Sequence, residues 1–312
     1  MAILLGLLVA LTYGSGDFCG GIASTRSRPS AVVIGSFAIS LGLLVLVNAT
    51  WGLLGGLPHP SAHDLLIGAV VGCIGPVAVG LLYRGLSLGR MSVVAPITAV
   101  VAAIVPFGWG LLHGERPSAV AIVGVVVALV AVALISGAPT HPDQAMLDLE
   151  AAGPNALDAA GADAAEGTPL GLIVTALVAG LGFGVVFILL SYASADAGLW
   201  PLVSARFVAV LVSVVALTAW SRFRPLPLRA ALLPAAGAWA AVAGAGALDI
   251  TANAIYLSAT QRGLLSIVAV LSSLYPASTV ILARFVLNER LHRTQLIGLL
   301  LAAGGVVAMA AS

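Results

Sequence analysis

Ser92 to Arg116 reads "SVVAPITAVVAAIVPFGWGLLHGER", and Ser266 to Arg290 reads "SIVAVLSSLYPASTVILARFVLNER". The two stretches align without a gap. Each is an apolar run interrupted by proline and closed by a Glu-Arg pair, Glu115-Arg116 in one and Glu289-Arg290 in the other. The same shift sets Gly124 on Gly298 and Val132 on Val306 in the apolar runs that follow. Apolar matches arise easily in such a chain, but a shared Glu-Arg at one register does not. The stretch is read as an internal duplication.

Composition says where the two copies lie. Of 312 residues, 61% are hydrophobic and only 8% are charged, against about a quarter charged in a soluble domain. The apolar runs reach the roughly 20 residues that cross a hydrocarbon core. Short alternating segments, the mark of a membrane barrel, are missing from the sequence. The expected fold class is an all-α integral membrane protein. Cys19 and Cys73 both fall inside apolar runs, so packed thiols are expected rather than a disulfide.

Ten membrane helices are predicted, five in each half. The first half holds about Ala2–Gly21, Ala31–Leu53, Leu65–Leu86, Met91–Leu112 and Ser118–Ser136. The second holds about Pro169–Ala193, Trp200–Trp220, Ala231–Ala259, Leu264–Leu287 and Thr294–Ala311. Between them, 138–168 carries six of the chain's twelve acidic residues, no arginine and few large apolar side chains. Such a segment cannot offset its ordering entropy and is expected to be a flexible acidic linker between repeats 1–137 and 169–312. Deleting much of Thr140–Gly167, with enough chain left to span the helix ends, is therefore expected to leave insertion and function nearly intact. Loss of membrane insertion in that variant would give the linker a structural role. An odd number of helices per half forces the second half to be inverted, a recurring plan of secondary transporters.

Polar residues inside the apolar runs name the candidate site. An unpaired acid at mid-bilayer costs roughly 2.5–3.5 kcal/mol on insertion scales, so each such residue invites an explanation. Asp249, Asn253, Tyr256 and Thr260 share one helix face, which should look into the bundle or a watery cavity. They either line a functional cavity or make a structural hydrogen-bonded pair. On the functional reading Asp249→Asn should keep the shape and expression but lose transport or its pH dependence. Tyr13, Asp17 and Gly20 form a smaller face on the first helix. Arg206 either snorkels to the interface or pairs with an acid. Ser272, Tyr275 and Thr279 make a polar strip beside Pro276, and Pro276 and Pro106 are expected to kink their helices around a cavity. Glu115, Arg116, Glu289 and Arg290, at helix ends, are expected to be structural clamps on the turns they close.

Enzyme motifs are absent or out of place. The sequence has no Walker A loop, HExxH or CxxC. "GLSLG" at Gly85–Gly89 spells a hydrolase elbow around Ser87 but closes a membrane helix instead of joining strand to helix. His59 and His63 precede Asp64 in a Pro-rich loop, and no metal or cofactor is expected there. Without an ATP site, uphill transport would have to draw on an ion gradient. The rival functions are a membrane-embedded structural subunit and a lipid-processing enzyme.

The motifs "YGSGDFCGG" at 13–21, "GALDITANAIYLSAT" at 246–260, "LYPASTVILARFVLNERL" at 274–291 and "GLLLAAGGV" at 298–306 resemble the drug/metabolite transporter superfamily, in particular its ten-helix EamA-type members. "LLHGERP" at 111–117 is a weaker copy in the first half. The resemblance implies a secondary transporter, most simply an exporter of a small metabolite (an amino acid or related compound) or a drug from a bacterial cytoplasm. It implies alternating access in a multi-pass plasma-membrane protein, with protons as a candidate coupling ion. The implied partners are a small-molecule substrate and the lipid bilayer, with no nucleic acid, in a monomer or homodimer. Orientation is where the resemblance and the charges part. Eight arginines in the loops share one membrane face, whereas Arg116 and Arg262 share the face that carries both termini. The positive-inside rule then puts the termini outside, and the family arrangement puts them in the cytoplasm.

Overall fold

A computed structural model describes residues 1–24, 26–53, 56, 58–87, 91–137, 169–223, 227–286 and 291–311. The described residues are helical, with no strand among them. In lipid every backbone N–H and C=O must be satisfied within the segment, and long uninterrupted helices do that. The helices are α1 (Ala2–Ser24), α2 (Pro29–Leu53), α3 (Ala62–Ser87), α4 (Met91–Leu112) and α5 (Ala119–Ser136) in the first half. The second half has α6 (Pro169–Ser191), α7 (Trp200–Trp220), α8 (Trp239–Thr260), α9 in two pieces (Leu265–Ser272 and Tyr275–Val286) and α10 (Arg293–Ala310). Among the described residues nine stretches are long and apolar enough to cross a membrane, and 96–112 of α4 is a shorter apolar one. Glu289, Arg290 and the linker 138–168 lie outside the described residues.

Two sequence expectations need correction. The run predicted as one helix over Ala231–Ala259 is a short turn of helix at Leu228–Leu232, a 3-10 turn at Ala236–Ala238 and then α8. Leu233 is extended, because the ring of Pro234 disfavours helical backbone in the residue before it. The helix expected at Leu264–Leu287 is interrupted at Ser273 and Leu274. Pro276 has no N–H to return to the carbonyl of Ser272. Leu271, Ser272, Ser273 and Leu274 are all buried in protein, which is where broken backbone is tolerated at membrane depth. Pro106, expected to kink α4, lies within a continuous helix.

Contacts between helices give the direction of each traverse. Gly16 of α1 lies against Asp249 and Gly20 against Ala245, so α1 and α8 run antiparallel. Gly6 faces Leu271 and Gly14 faces Tyr275, so α1 and α9 are parallel. Gly68 and Gly72 set α3 parallel to α7, through Pro201 and Ala205, and Gly180 and Gly184 set α6 parallel to α4, through Thr98 and Val105. All of these agree with ten alternating crossings. Small residues at the crossings let the backbones approach closely, which is how helices associate without a hydrophobic driving force.

The duplication is visible in the packing of α5 on α10. A methyl group on Gly124 would lie 2.8 Å from the carbonyl oxygen of Gly305 and 2.8 Å from Cγ of Met309. One on Gly298 would lie 3.0 Å from the carbonyl oxygen of Ala131 and 2.7 Å from Cγ1 of Ile135. The shift that aligns the Glu-Arg pairs carries Gly124 onto Gly298, Ala131 onto Gly305 and Ile135 onto Met309. The two contacts are therefore copies of each other, made reciprocally by antiparallel helices. That is the signature of halves related by a two-fold axis in the membrane plane.

Candidate functional site

Asp249 is the centre of the polar cluster. Its carboxylate is ion-paired with the guanidinium of Arg206 on α7. Asn253, one turn further along α8, donates from Nδ2 to the Asp249 carbonyl at 2.8 Å and to its Oδ1 at 3.3 Å. Arg206 also sits 4.8 Å from the ring centre of Phe37 on α2, and its Nε is buried without a hydrogen bond. Its side chain is only 13% exposed, so the snorkelling alternative is overturned. Pairing wins because Asp249 lies within reach and lipid offers no competing solvation.

A cavity of about 100 Å³ adjoins this pair, lined by Tyr13, Asp17, Val33, Phe37, Val79 and Asp249 among others. Among the residues whose side chains are described, no arginine lines it. The lining positions fall in the later parts of α1 and α3 and the early parts of α2 and α8. All of these lie toward the face that carries the α1–α2 and α7–α8 turns, the arginine-rich face of the sequence.

On the other side of the cavity the bundle is shut. Tyr256 is fully buried and donates its hydroxyl to the Phe187 carbonyl at 3.1 Å, the two rings stacked at 4.7 Å. Tyr13 joins the group, its ring 6.3 Å from Phe187. Beyond them lie two carboxylate clamps between the halves. Glu115 accepts from the N–H of Leu265 at 2.7 Å and of Ser266 at 2.9 Å, capping the first piece of α9. Asp64 is 1% exposed and accepts from the N–H and Oγ of Ser194 at 2.8 and 2.9 Å, and from the N–H and Oγ of Ser61 at 3.0 and 2.6 Å. Asp64 thus lies in the first turn of α3, not in the loop expected from sequence. Trp109 adds a third tie, its indole N–H 2.9 Å from the Tyr192 hydroxyl.

The sequence candidates therefore separate. Asp17, Tyr13 and Asp249 line the cavity, and Arg206 and Asn253 hold Asp249 from behind. Tyr256 seals one end. Ser272 is buried and turns its hydroxyl back to the Val268 carbonyl at 2.8 Å. Tyr275 presents its carbonyl to the hydroxyls of Ser278 and Thr279, which also bond the Ala10 and Gly14 carbonyls of α1. That strip serves the α1–α9 contact. Glu115 clamps α9, in the other half, not the α4–α5 turn it belongs to, and Arg116 is exposed. Thr260 bonds back to its own helix. Sequence reasoning missed Phe37, Phe187 and Asp64. The first two carry no polar signal, and Asp64 was hidden by its neighbours Pro58, His59 and Pro60. Among the described residues no group of three or more His, Cys, Asp or Glu could hold a metal ion.

The EamA-like transporter family matches residues 1–137 and 170–311. The chain belongs to that family. The match covers both halves and leaves out the acidic segment. This EamA-family chain is thus a membrane transporter of the drug/metabolite type, built from two repeated halves. No curated protein matches its sequence. One crystal structure of a protein 14% identical superposes at a TM-score of 0.69 over 99% of this chain and 96% of its own, so the whole helical arrangement is shared. In this EamA-family fold the polar cluster joins α1 and α2 of one repeat to α7 and α8 of the other.

Proposed function

We propose that the protein is a secondary transporter that exports a small molecule from a bacterial cytoplasm by alternating access. Substrate enters the cavity beside Asp17 and Asp249. The observation that carries this reading is an open cavity, lined by two intramembrane carboxylates, on one side of a seal made between the two repeats. In this state the arginine-rich face is open, and the face carrying the termini is shut by Tyr256, Glu115 and Asp64. Transport requires the reverse state, in which contacts across the repeats break on one face and form on the other. Protons exchanged at Asp17 supply the coupling, since an acid facing an intramembrane cavity is a usual relay.

The test is flux of radiolabelled amines, amino acids and sugars into proteoliposomes with and without a pH gradient. Saturable uptake of at least one compound, lost in Asp17→Asn, is the expected result. A well-folded protein that moves none of them under either condition would end the proposal.

Orientation follows from the same geometry. With eight loop arginines assigned to this face by the sequence, the positive-inside rule makes this the inward-open state, ready to load for export. With Cys19 and Cys73 removed, a cysteine at Pro227 is expected to resist impermeant thiol reagents in intact cells, while a C-terminal tag is accessible. Labelling of Pro227→Cys with the tag protected would invert the assignment and leave the cavity open to the outside.

A further inference from the structure

We infer that the cavity selects a small organic cation, an alkylammonium, and rejects carboxylates of the same size; this rests on the transport reading above. The cluster contains two acids and one guanidinium, and the guanidinium is already committed. Arg206 is ion-paired with Asp249 on one side and lies over Phe37 on the other. It contributes nothing to the cavity lining. Asp17 does line the cavity, is exposed, and has no hydrogen bond or ion pair among the described residues. Among the residues whose side chains are described, the lining thus presents one uncompensated carboxylate and no cation.

The walls complete the argument. Tyr13 contributes an aromatic ring, the Phe37 ring being taken by Arg206, and a cation over an aromatic face gains most when it is desolvated. Val32, Val33 and Val79 add apolar surface suited to an alkyl body, and Ser36, also in the lining, turns its hydroxyl back to the Val33 carbonyl. A bare metal ion would need about six oxygen ligands, which two carboxylates and a phenol do not supply. A carboxylate ligand would meet Asp17 with no guanidinium or ammonium to offset the repulsion. The chemistry is that of an ammonium head beside Asp17 with its chain among the valines.

Three probes of one shape isolate the charge: butylammonium, butanol and butyrate. Binding is read by saturation-transfer NMR on the full chain in nanodiscs, with empty nanodiscs subtracted. Butylammonium is expected to bind at least about tenfold more tightly than butanol, and butyrate more weakly than either. Asp17→Asn should bring butylammonium down to the level of butanol, and Asp17→Glu should restore the preference. Equal binding of the three probes, binding led by butyrate, or no binding of butylammonium would overturn the inference. If saturable flux of some compound is found while butylammonium shows no preference, the transport reading stands and this one falls. If the preference holds but no compound is moved, the cavity assignment stands and transport falls.

Discussion

Arg206→Met and Asp249→Asn are each expected to destabilise the protein by about 3 kcal/mol, and the double variant to recover more than half of that loss. Removing one partner of a buried ion pair leaves the other charge without compensation, at a cost of roughly 3–5 kcal/mol, whereas removing both is often close to neutral. Arg206 is 13% exposed and Asp249 31%, the latter toward the cavity, so the lower end of that range applies. In Asp249→Asn the side chain of Asn253 would still have the backbone carbonyl at position 249 to donate to, but the guanidinium would keep only a neutral amide oxygen and the Phe37 ring, with no negative charge to offset its own. Thermal unfolding of the four proteins in one detergent measures the cycle. Additive losses would show that the two side chains do not stabilise each other. The ion pair is thus a reason for Asp249→Asn not to keep the shape, and transport is better tested in the double variant.

Glu115→Ala should open the sealed face. Hydrogen bonds to charged groups contribute roughly 1.5–3 kcal/mol each, and Glu115 makes two, to the N–H groups of Leu265 and Ser266. The carboxylate also sits at a helix N-terminus, where negative charge is favoured. It is only half-buried, which reduces the total to about 2 kcal/mol, equivalent to a roughly thirtyfold shift between closed and open states. Val9, buried at 0% exposure on the sealed side, is a reporter. With Cys19 and Cys73 removed, Val9→Cys should react with an impermeant thiol reagent at least tenfold faster when Glu115 is replaced by alanine. Glu115→Gln, which keeps one acceptor, should fall between. An unchanged rate in a well-folded Glu115→Ala protein would mean the clamp does not gate that face.

Much of the fold is legible because hydropathy and the duplicated Glu-Arg register are properties of the linear chain. The register also explains why, once α5 and α10 meet, Gly124 and Gly298 make the same contact in opposite directions. The break at Pro234 is masked by the continuous apolar run around it, "AALLPAAGAWAAV". The site is half legible. A helical stripe reveals that Asp249 and Asn253 face inward, but not that Arg206, 43 positions away, is what Asp249 faces. Glu115 was visible as a conspicuous residue, while its partners lie 150 and 151 positions further on. Partners across the repeats depend on how the helices assemble, and one-dimensional spacing does not encode that.

The reciprocal contact between α5 and α10 has a mechanical consequence. When inverted repeats exchange conformations, a contact between unlike helices, such as α1 on α8, must become its counterpart, α6 on α3. A contact that the two-fold maps onto itself has nothing to become. The glycine-lined crossing of α5 and α10 is of that kind, so it can stay closed throughout the cycle as a pivot about which the rest of each repeat turns. Bulk added at Gly124 or Gly305 would then weaken the bearing itself, lowering stability in both end states alike instead of favouring one.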